Sequence, residues 1–127
     1  MKLLFDTSVL IDHLRSDPRP QELLLKAIHD GDDLWSSVVV RTEILAGMRR
    51  GEEEKTSLLL GLFRWEDVTL RIADEAGDLA RKYLKSHPGV DVADYLIAAT
   101  ARSLGAELRT QNVKHFPMFP KLKPAYT

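Results

Sequence analysis

The sequence contains no cysteine, and this absence removes several classes of site at once. Disulfide frameworks, thiolate nucleophiles and Cys-ligated zinc or iron–sulfur centres are excluded, so catalysis must use oxygen or nitrogen groups. No apolar run approaches the roughly 20 residues of a membrane span, and Asp6 interrupts the first apolar run before a signal-peptide core could form. We therefore expect a soluble cytoplasmic protein that has no membrane partner.

The chain of 127 residues also has little net charge, with a formal value of −1. The size and the 44% hydrophobic content are typical of a single globular domain, which we expect to span residues 1–127. From residue 101 onward, however, five basic residues accompany only one acid. Such a stretch is typical either of a surface that faces phosphate or of a solvated face balanced by the acidic residues 52–54.

Short apolar runs alternate along the chain with amphipathic segments. The pattern predicts strands at residues 2–5, 34–37, 67–70 and 106–109, and helices at residues 9–15, 18–28, 38–48, 53–63, 71–84 and 91–104. Ser8 is the predicted cap of the first helix, and Gly105 is the predicted left-handed cap of the last. Strands that alternate with helices indicate an α/β fold, in which helices cover both faces of a parallel sheet.

Asp6 follows the first predicted strand directly. Ligands of open α/β sheets bind beyond the carboxyl ends of the strands, so a polar residue at this position is a candidate functional group. Turn and capping chemistry is the alternative explanation, because Asp6, Thr7 and Ser8 all suit it.

Asp94 lies on the apolar stripe of the last predicted helix, three residues before Ile97. A carboxylate that faces a core is costly unless it is paired, protonated or bound to a metal. The alternative is a capping box in which Asp91 caps the helix and Asp94 is its third residue. That alternative explains the position of Asp94 along the helix but not its face.

Glu43 falls between Val40 and Ile44 in the predicted third helix, so we expect it to lean toward the sheet. A surface ion pair with Arg41 or Arg49 is the alternative. A single site explains the positions of all three acids, near strand ends or on inward helix faces, more simply than three unrelated causes. Hard oxygen ligands suit Mg²⁺ or Mn²⁺, and such an ion in contact with phosphate oxygens points to phosphodiester hydrolysis.

Four segments of the chain resemble, in order and spacing, the PIN-domain ribonucleases, and among them the VapC toxins of toxin–antitoxin pairs. The segments are FDTSVLID at residues 5–12, VRTEILAG at 40–47, DYLIAATA at 94–101 and LRTQNVKHF at 108–116, and residues 122–126 continue the likeness. The resemblance implies a three-layer α/β/α sandwich with a central parallel sheet. It also implies a metal-dependent endoribonuclease that cleaves RNA, forms a homodimer and is silenced by a cognate antitoxin.

By motif position, the resemblance implies that Asp6 and Asp94 are the principal ligands of Mg²⁺ or Mn²⁺ and that Glu43 completes the acidic cluster. Thr7 or Ser8 is expected to form hydrogen bonds within the site. Asn112 stands where family members often have a further Asp, so it joins the expected catalytic residues without its charge. The choice between one and two metal ions therefore stays open, and Asp91 could replace the missing charge only if its helix entry bends inward.

Phosphate contacts with RNA are expected from Arg49, Arg50, Lys114 and Lys121, although a solvated surface role is the alternative for each. His115 is more typical of a packed residue than of a general base. Two other functions remain open: a metal-free PIN-fold scaffold that binds RNA or protein, and a housekeeping RNA-processing nuclease. Three retained acids argue against the scaffold, because a scaffold does not need acids on inward faces.

Overall fold

The computed structural model describes residues 1–127 and contains one four-stranded sheet in which all neighbouring strands are parallel. The strands are β1 (Lys2–Phe5), β2 (Asp33–Ser37), β3 (Arg64–Glu66) and β4 (Glu107–Arg109), in the spatial order β3-β2-β1-β4. Because β1 and β2 are central, their backbones pair on both sides, and their apolar residues are buried except for the half-buried Trp35. The predicted parallel sheet is confirmed.

Six helices cover the sheet and complete a three-layer α/β/α sandwich. They are α1 (Thr7–Leu14), α2 (Pro18–His29), α3 (Val38–Ala46), α4 (Glu53–Leu60), α5 (Leu70–Tyr83) and α6 (Val92–Leu104), and a 3-10 turn spans Val113–His115. The chain passes from β1 to β2 to β3 in one direction and returns across the sheet to β4, and right-handed crossovers of this order place helices on both faces. None of these helices has the length and apolar character needed to cross a membrane.

The prediction for the third strand was wrong. The strand covers Arg64–Glu66, whereas residues 67–70 lead into α5. The Thr69 side chain accepts a hydrogen bond from the Ile72 amide (3.2 Å) and so caps α5, which begins at Leu70. A threonine in an apolar run favours a strand by propensity, but Thr69 instead caps α5, so these residues lead into a helix.

The predicted cap of the first helix was also wrong. Helix α1 begins at Thr7 and not at Val9, and its N-cap is Asp6, whose side chain makes no capping hydrogen bond. Ser8 is therefore inside the first turn, and its hydroxyl is available to other groups. Helices α3 and α4 are two and three residues shorter than predicted, because Gly47 and Gly61 end them.

The limits of α6 agree with the sequence pattern. Asp91 is the N-cap, and Gly105 ends the helix with a φ of 64°, a left-handed conformation that glycine adopts at little cost. The capping box is present in both directions: Asp91 Oδ1 accepts from the Asp94 amide (3.0 Å), and Asp94 Oδ2 accepts from the Asp91 amide (3.2 Å). The capping-box explanation of Asp94 is confirmed, and its functional role stays a prediction.

The strand register brings two polar residues to the same level. Phe5 pairs with Arg109, and the Asp6 amide donates to the Arg109 carbonyl oxygen (3.0 Å). Asp6 and Thr110 are the next residues of two adjacent parallel strands, so both emerge at the carboxyl edge of the sheet. This edge is where polar side chains gather into a cavity.

Candidate active site

An acidic cavity of about 440 Å³ opens at the carboxyl edge of the sheet. It receives side chains from the β1–α1 junction, from α3, from the start of α6 and from the segment after β4. Its lining consists of Asp6, Thr7, Ser8, Ile11, Asp12, Glu43, Asp91, Asp94, Gln111, Asn112 and His115. The three predicted acids and Asn112 therefore share one cavity.

Asp6 is the most firmly held acid of this cavity. It is only 3% exposed, and its Oδ2 accepts hydrogen bonds from Thr110 Oγ1 (2.7 Å) and Ser8 Oγ (3.1 Å). Ser8 Oγ in turn accepts from the Gln111 amide (3.0 Å), which aims the serine proton at Asp6. Because both hydroxyls bond Oδ2, the other carboxylate oxygen is left without a protein donor.

Glu43 occupies the opposite side of the cavity and is held by one contact. Thr7 Oγ1 donates to Glu43 Oε1 (2.7 Å), which links α1 to α3. The expectation that Glu43 leans toward the sheet was wrong, because the residue is exposed. Val40 and Ile44 are the buried residues of α3, and Glu43 lies beside their stripe and not within it.

Asp94 has a side chain that is only 14% exposed, near the start of α6. Burial raises the pKa of its carboxyl to about 6, the neighbouring Asp91 carboxylate also raises it, and the Asp91 amide and His115 act in the opposite direction. His115 Nδ1 lies 3.4 Å from Asp94 Oδ2. Asp94 is thus an acid that its surroundings disfavour as an anion, a condition that is common at functional sites.

Two residues of the site were missed as functional candidates. Thr110 is fully buried, donates to Asp6 and accepts from the Asn112 amide (2.9 Å), so it links Asp6 to the segment that carries Asn112. Asp12 lies one helical turn after Ser8 and contributes a further carboxylate to the lining. The usable signal for Thr110 was its place immediately after β4, level with Asp6 on the adjacent strand.

The donor chemistry of the cavity fits a hard divalent cation. Five carboxylates line it and no Lys or Arg does, so an ion of opposite charge would offset their mutual repulsion. No group of three or more acidic or histidine side chains is placed to hold one ion together. Mg²⁺ in proteins keeps several waters and uses one or two carboxylates, so two acids such as Asp6 and Asp94 satisfy its needs.

The four basic residues expected to contact RNA lie in three different places. Lys114 lines a groove of about 340 Å³ that also includes Asn112 and His115, directly beside the acidic cavity. Lys121 lines a separate, mainly apolar groove next to β4. Arg49 and Arg50 are exposed in the connection between α3 and α4. Of the four basic residues, only Lys114 lines a groove that shares residues with the acidic cavity.

Comparison with known proteins defines the class to which this fold and site belong. The family model of the PIN domain matches residues 3–116. The chain therefore belongs to the PIN domain family.

Within that family, the similarity to two curated proteins extends over nearly the whole chain. Ribonuclease VapC19 of Mycobacterium tuberculosis is 47% identical over 126 residues, which cover 99% of this chain and 100% of that protein. Ribonuclease VapC10 of the same organism is 44% identical over 124 residues, which cover 98% and 92% of the two chains. A toxin–antitoxin complex from Klebsiella pneumoniae contains a chain of the same fold, with a TM-score of 0.79, 25% identity and 98% coverage of each chain.

Proposed function

We propose that this protein is a Mg²⁺- or Mn²⁺-dependent endoribonuclease, the toxin of a type II toxin–antitoxin pair. Its site is the acidic cavity, with Asp6, Glu43, Asp94 and Asn112 as the catalytic residues. The observation that carries the proposal is that these side chains share one acidic cavity, which no lysine or arginine lines. The chain that forms this cavity is 47% identical to a VapC ribonuclease.

Asp6 and Asp94 are the proposed principal metal ligands, and Glu43 completes the cluster. A divalent cation bound there supplies Lewis-acid activation of a scissile phosphodiester and of the attacking water. Thr110 and Ser8 hold Asp6 in one orientation before substrate arrives, which lowers the cost of reorganisation during the reaction. The proposed role of Glu43, which is held by Thr7, is to orient water within the cavity.

Asn112 adds an amide where the resemblance implies an acid. It keeps an oxygen ligand or a hydrogen-bond donor for phosphate but adds no charge. Because Asn112 adds no negative charge to the five carboxylates of the cavity, we propose that one metal ion suffices. Asp91 also lines the cavity and adds a carboxylate there, with its Oδ1 accepting from the Asp94 amide in the capping box.

RNA is the proposed substrate, and Lys114 is the proposed phosphate contact nearest to the site. Each neutralised phosphate releases counterions, so binding should weaken steeply with salt. Lys114→Gln should reduce that salt dependence, whereas Lys121→Gln should have a smaller effect because Lys121 lines the other groove. Equal effects of both substitutions would argue against this assignment.

A cognate antitoxin is the proposed protein partner. Its support is the similarity in fold to a chain of the Klebsiella pneumoniae toxin–antitoxin complex at 25% identity. A homodimer and a cytoplasmic location stay predictions. Co-purification with the product of a small adjacent gene, together with inhibition of cleavage by that product, would test the partner.

The decisive experiment maps the cleaved ends in a pool of small RNAs after incubation with the purified protein. We expect discrete cuts with Mn²⁺ or Mg²⁺ and none with EDTA or with Asp94→Asn. Asp74→Asn is the matched control, because Asp74 is an exposed acid of α5 outside the cavity. Cuts that persist in Asp94→Asn would exclude the proposed site, and an absence of both cuts and Mn²⁺ binding would favour the scaffold.

A further inference from the structure

The segment that carries Thr110 and Asn112 is fastened from outside the cavity. Strand β4 ends at Arg109, so Thr110, Gln111 and Asn112 have no sheet partners beyond it. The Thr110 carbonyl accepts from the Ala125 amide (2.9 Å), which joins this segment to a later part of the chain.

Gln111 makes a two-point contact with Tyr126. Its Nε2 donates to the Tyr126 carbonyl oxygen (3.0 Å), and its Oε1 accepts from the Tyr126 amide (3.1 Å). The side-chain amide thereby pairs with both backbone groups of one residue, as a neighbouring strand would do. Such a pair fixes the position and the orientation of Gln111.

Tyr126 is in turn anchored to the first two helices. Its hydroxyl donates to Asp12 Oδ2 on α1, and the Arg19 guanidinium of α2 lies 4.9 Å from the centre of its ring. Arg19 Nη2 donates a hydrogen bond to Asp17 Oδ2 (2.6 Å), which fixes the guanidinium. Burial and the Asp12 carboxylate raise the pKa of the tyrosine hydroxyl, so it stays a proton donor.

These contacts form what we call the clasp, defined by Asp12, Arg19, Gln111 and Tyr126. We propose that Tyr126 is a positioning residue for the acidic cavity, which acts through Gln111 to hold Thr110 and Asn112 in place. The inference rests on the proposed function for its catalytic consequence. Its structural part stands on the hydrogen bonds alone, because the segment that Tyr126 fastens is the one whose threonine donates to Asp6.

Tyr126 does not line the cavity, so its effect must be transmitted. Its loss should loosen the Gln111–Asn112 segment and lower both Mn²⁺ affinity and kcat, while KM for RNA changes little. Loss of a residue that hydrogen-bonds to a metal ligand typically lowers metal affinity or activity by about 10–100-fold. Tyr126 acts through Gln111 and not directly on a ligand, so we expect a loss of about 10-fold.

The experiment compares Tyr126→Ala with wild type in the full chain by amide hydrogen exchange, Mn²⁺ calorimetry and RNA cleavage. We expect exchange of the Gln111 and Asn112 amides to rise by roughly 10-fold, through local opening of this segment. Unchanged exchange in a folded variant would overturn the proposal. Should Tyr126→Ala fail to fold, Tyr126→Phe replaces it, with a smaller rise expected and no rise counting against the clasp.

Two further variants separate positioning from general stability. Ile72→Val lightly destabilises the core at α5 and should leave Mn²⁺ affinity at the wild-type value. Gln111 bonds to the backbone of Tyr126, so Gln111→Ala removes this link directly, whereas Tyr126→Ala removes the side chain that anchors that backbone. Gln111→Ala combined with Tyr126→Ala should therefore be no worse than either change alone. Additive losses would refute the route through Gln111.

The exchange measurement also distinguishes the two proposals. A wild-type protein that neither binds Mn²⁺ nor cleaves RNA would refute the proposed function. The amide exchange of Tyr126→Ala would still decide whether the clasp holds this segment.

Discussion

The two sides of the acidic cavity differ in how firmly their acids are held. Asp6 is buried and receives two hydroxyl donors, one of them from the segment after β4, whereas Glu43 is exposed and receives one donor from Thr7. A buried carboxylate with fixed partners is already oriented for a ligand, whereas an exposed one loses side-chain freedom when it binds. For the proposed metal site, the comparison therefore predicts a fixed contact on the Asp6 side and an adjustable role for Glu43.

Asp6→Asn should have the largest effect. The amide keeps an oxygen that can accept from Thr110 but loses the charge that a cation needs, so we expect cleavage to fall by at least about 100-fold. Cleavage rate and Mn²⁺ affinity are the measurements, with Asp74→Asn as the control for a lost surface charge. Near-normal activity in Asp6→Asn would remove the distinction between the two sides.

Thr110→Val should rank second. It preserves the shape of the side chain but removes the donor to Asp6 and the acceptor for the Asn112 amide. We expect a loss of about 10–100-fold in Mn²⁺ affinity or cleavage and of about 1–3 kcal/mol in the free energy of unfolding. Chemical denaturation and calorimetry measure the two quantities.

The matched control for that change is Thr100→Val. Thr100 is also fully buried, but its hydroxyl donates to the Leu96 carbonyl within α6 and does not reach the cavity. It should leave Mn²⁺ affinity unchanged. Equal losses of affinity in the two variants would show that Thr110 acts through packing alone.

Asp94→Asn should stabilise the metal-free protein at neutral pH. The folded pKa of about 6 lies above the ordinary value of 3.8, so the native state holds the proton more tightly than the unfolded state. Wild-type stability should therefore fall as pH rises from about 4 to 6 and then level off, by about 1–3 kcal/mol relative to Asp94→Asn.

Denaturation of both proteins in EDTA at pH 3.5, 5 and 7.5 measures that difference. The two curves should approach each other at the acidic end, where Asp94 is protonated in the native state and mostly protonated in the unfolded state. A wild-type protein that is the more stable one at pH 7.5 would show that Asp94 is favoured as an anion even without a metal.

Glu43→Gln should have the smallest effect on cleavage, below about 10-fold, since Glu43 is less constrained than the partners that typically give 10–100-fold losses. Glutamine can still accept from Thr7, so the link between α1 and α3 persists. Cleavage rates of Glu43→Gln and Asp6→Asn measured together give the comparison directly. A larger loss for Glu43→Gln would reverse the roles of the two sides.

The sequence predicted the parts of the fold that depend on strong local signals. The first strand, the cap at Asp91 and the left-handed end at Gly105 were confirmed, because a buried apolar run, a capping acid and a glycine each favour one structure. The third strand was misplaced because it has only three residues and little buried surface to mark it. Tertiary pairing with β2 and not local propensity fixes its position.

Only those site residues could be predicted whose position in a strand or helix is itself a signal in the sequence. Asp6 and Asp94 stand at a strand end and on a helix stripe, and both line the cavity. Glu43 was expected to lean toward the sheet because it falls between Val40 and Ile44, yet it lies beside that buried stripe and is exposed. The clasp could not be predicted, since Gln111 and Tyr126 meet through tertiary structure and neither has a periodic signature.

The central claim is that the acidic cavity binds the metal ion used for RNA cleavage. The most direct test is the cleavage rate as a function of Mn²⁺ concentration for wild type, Asp6→Asn and Asp74→Asn. We expect saturable Mn²⁺ dependence in wild type and Asp74→Asn, and no cleavage at any concentration in Asp6→Asn. Cleavage by Asp6→Asn with the Mn²⁺ dependence of wild type would contradict it.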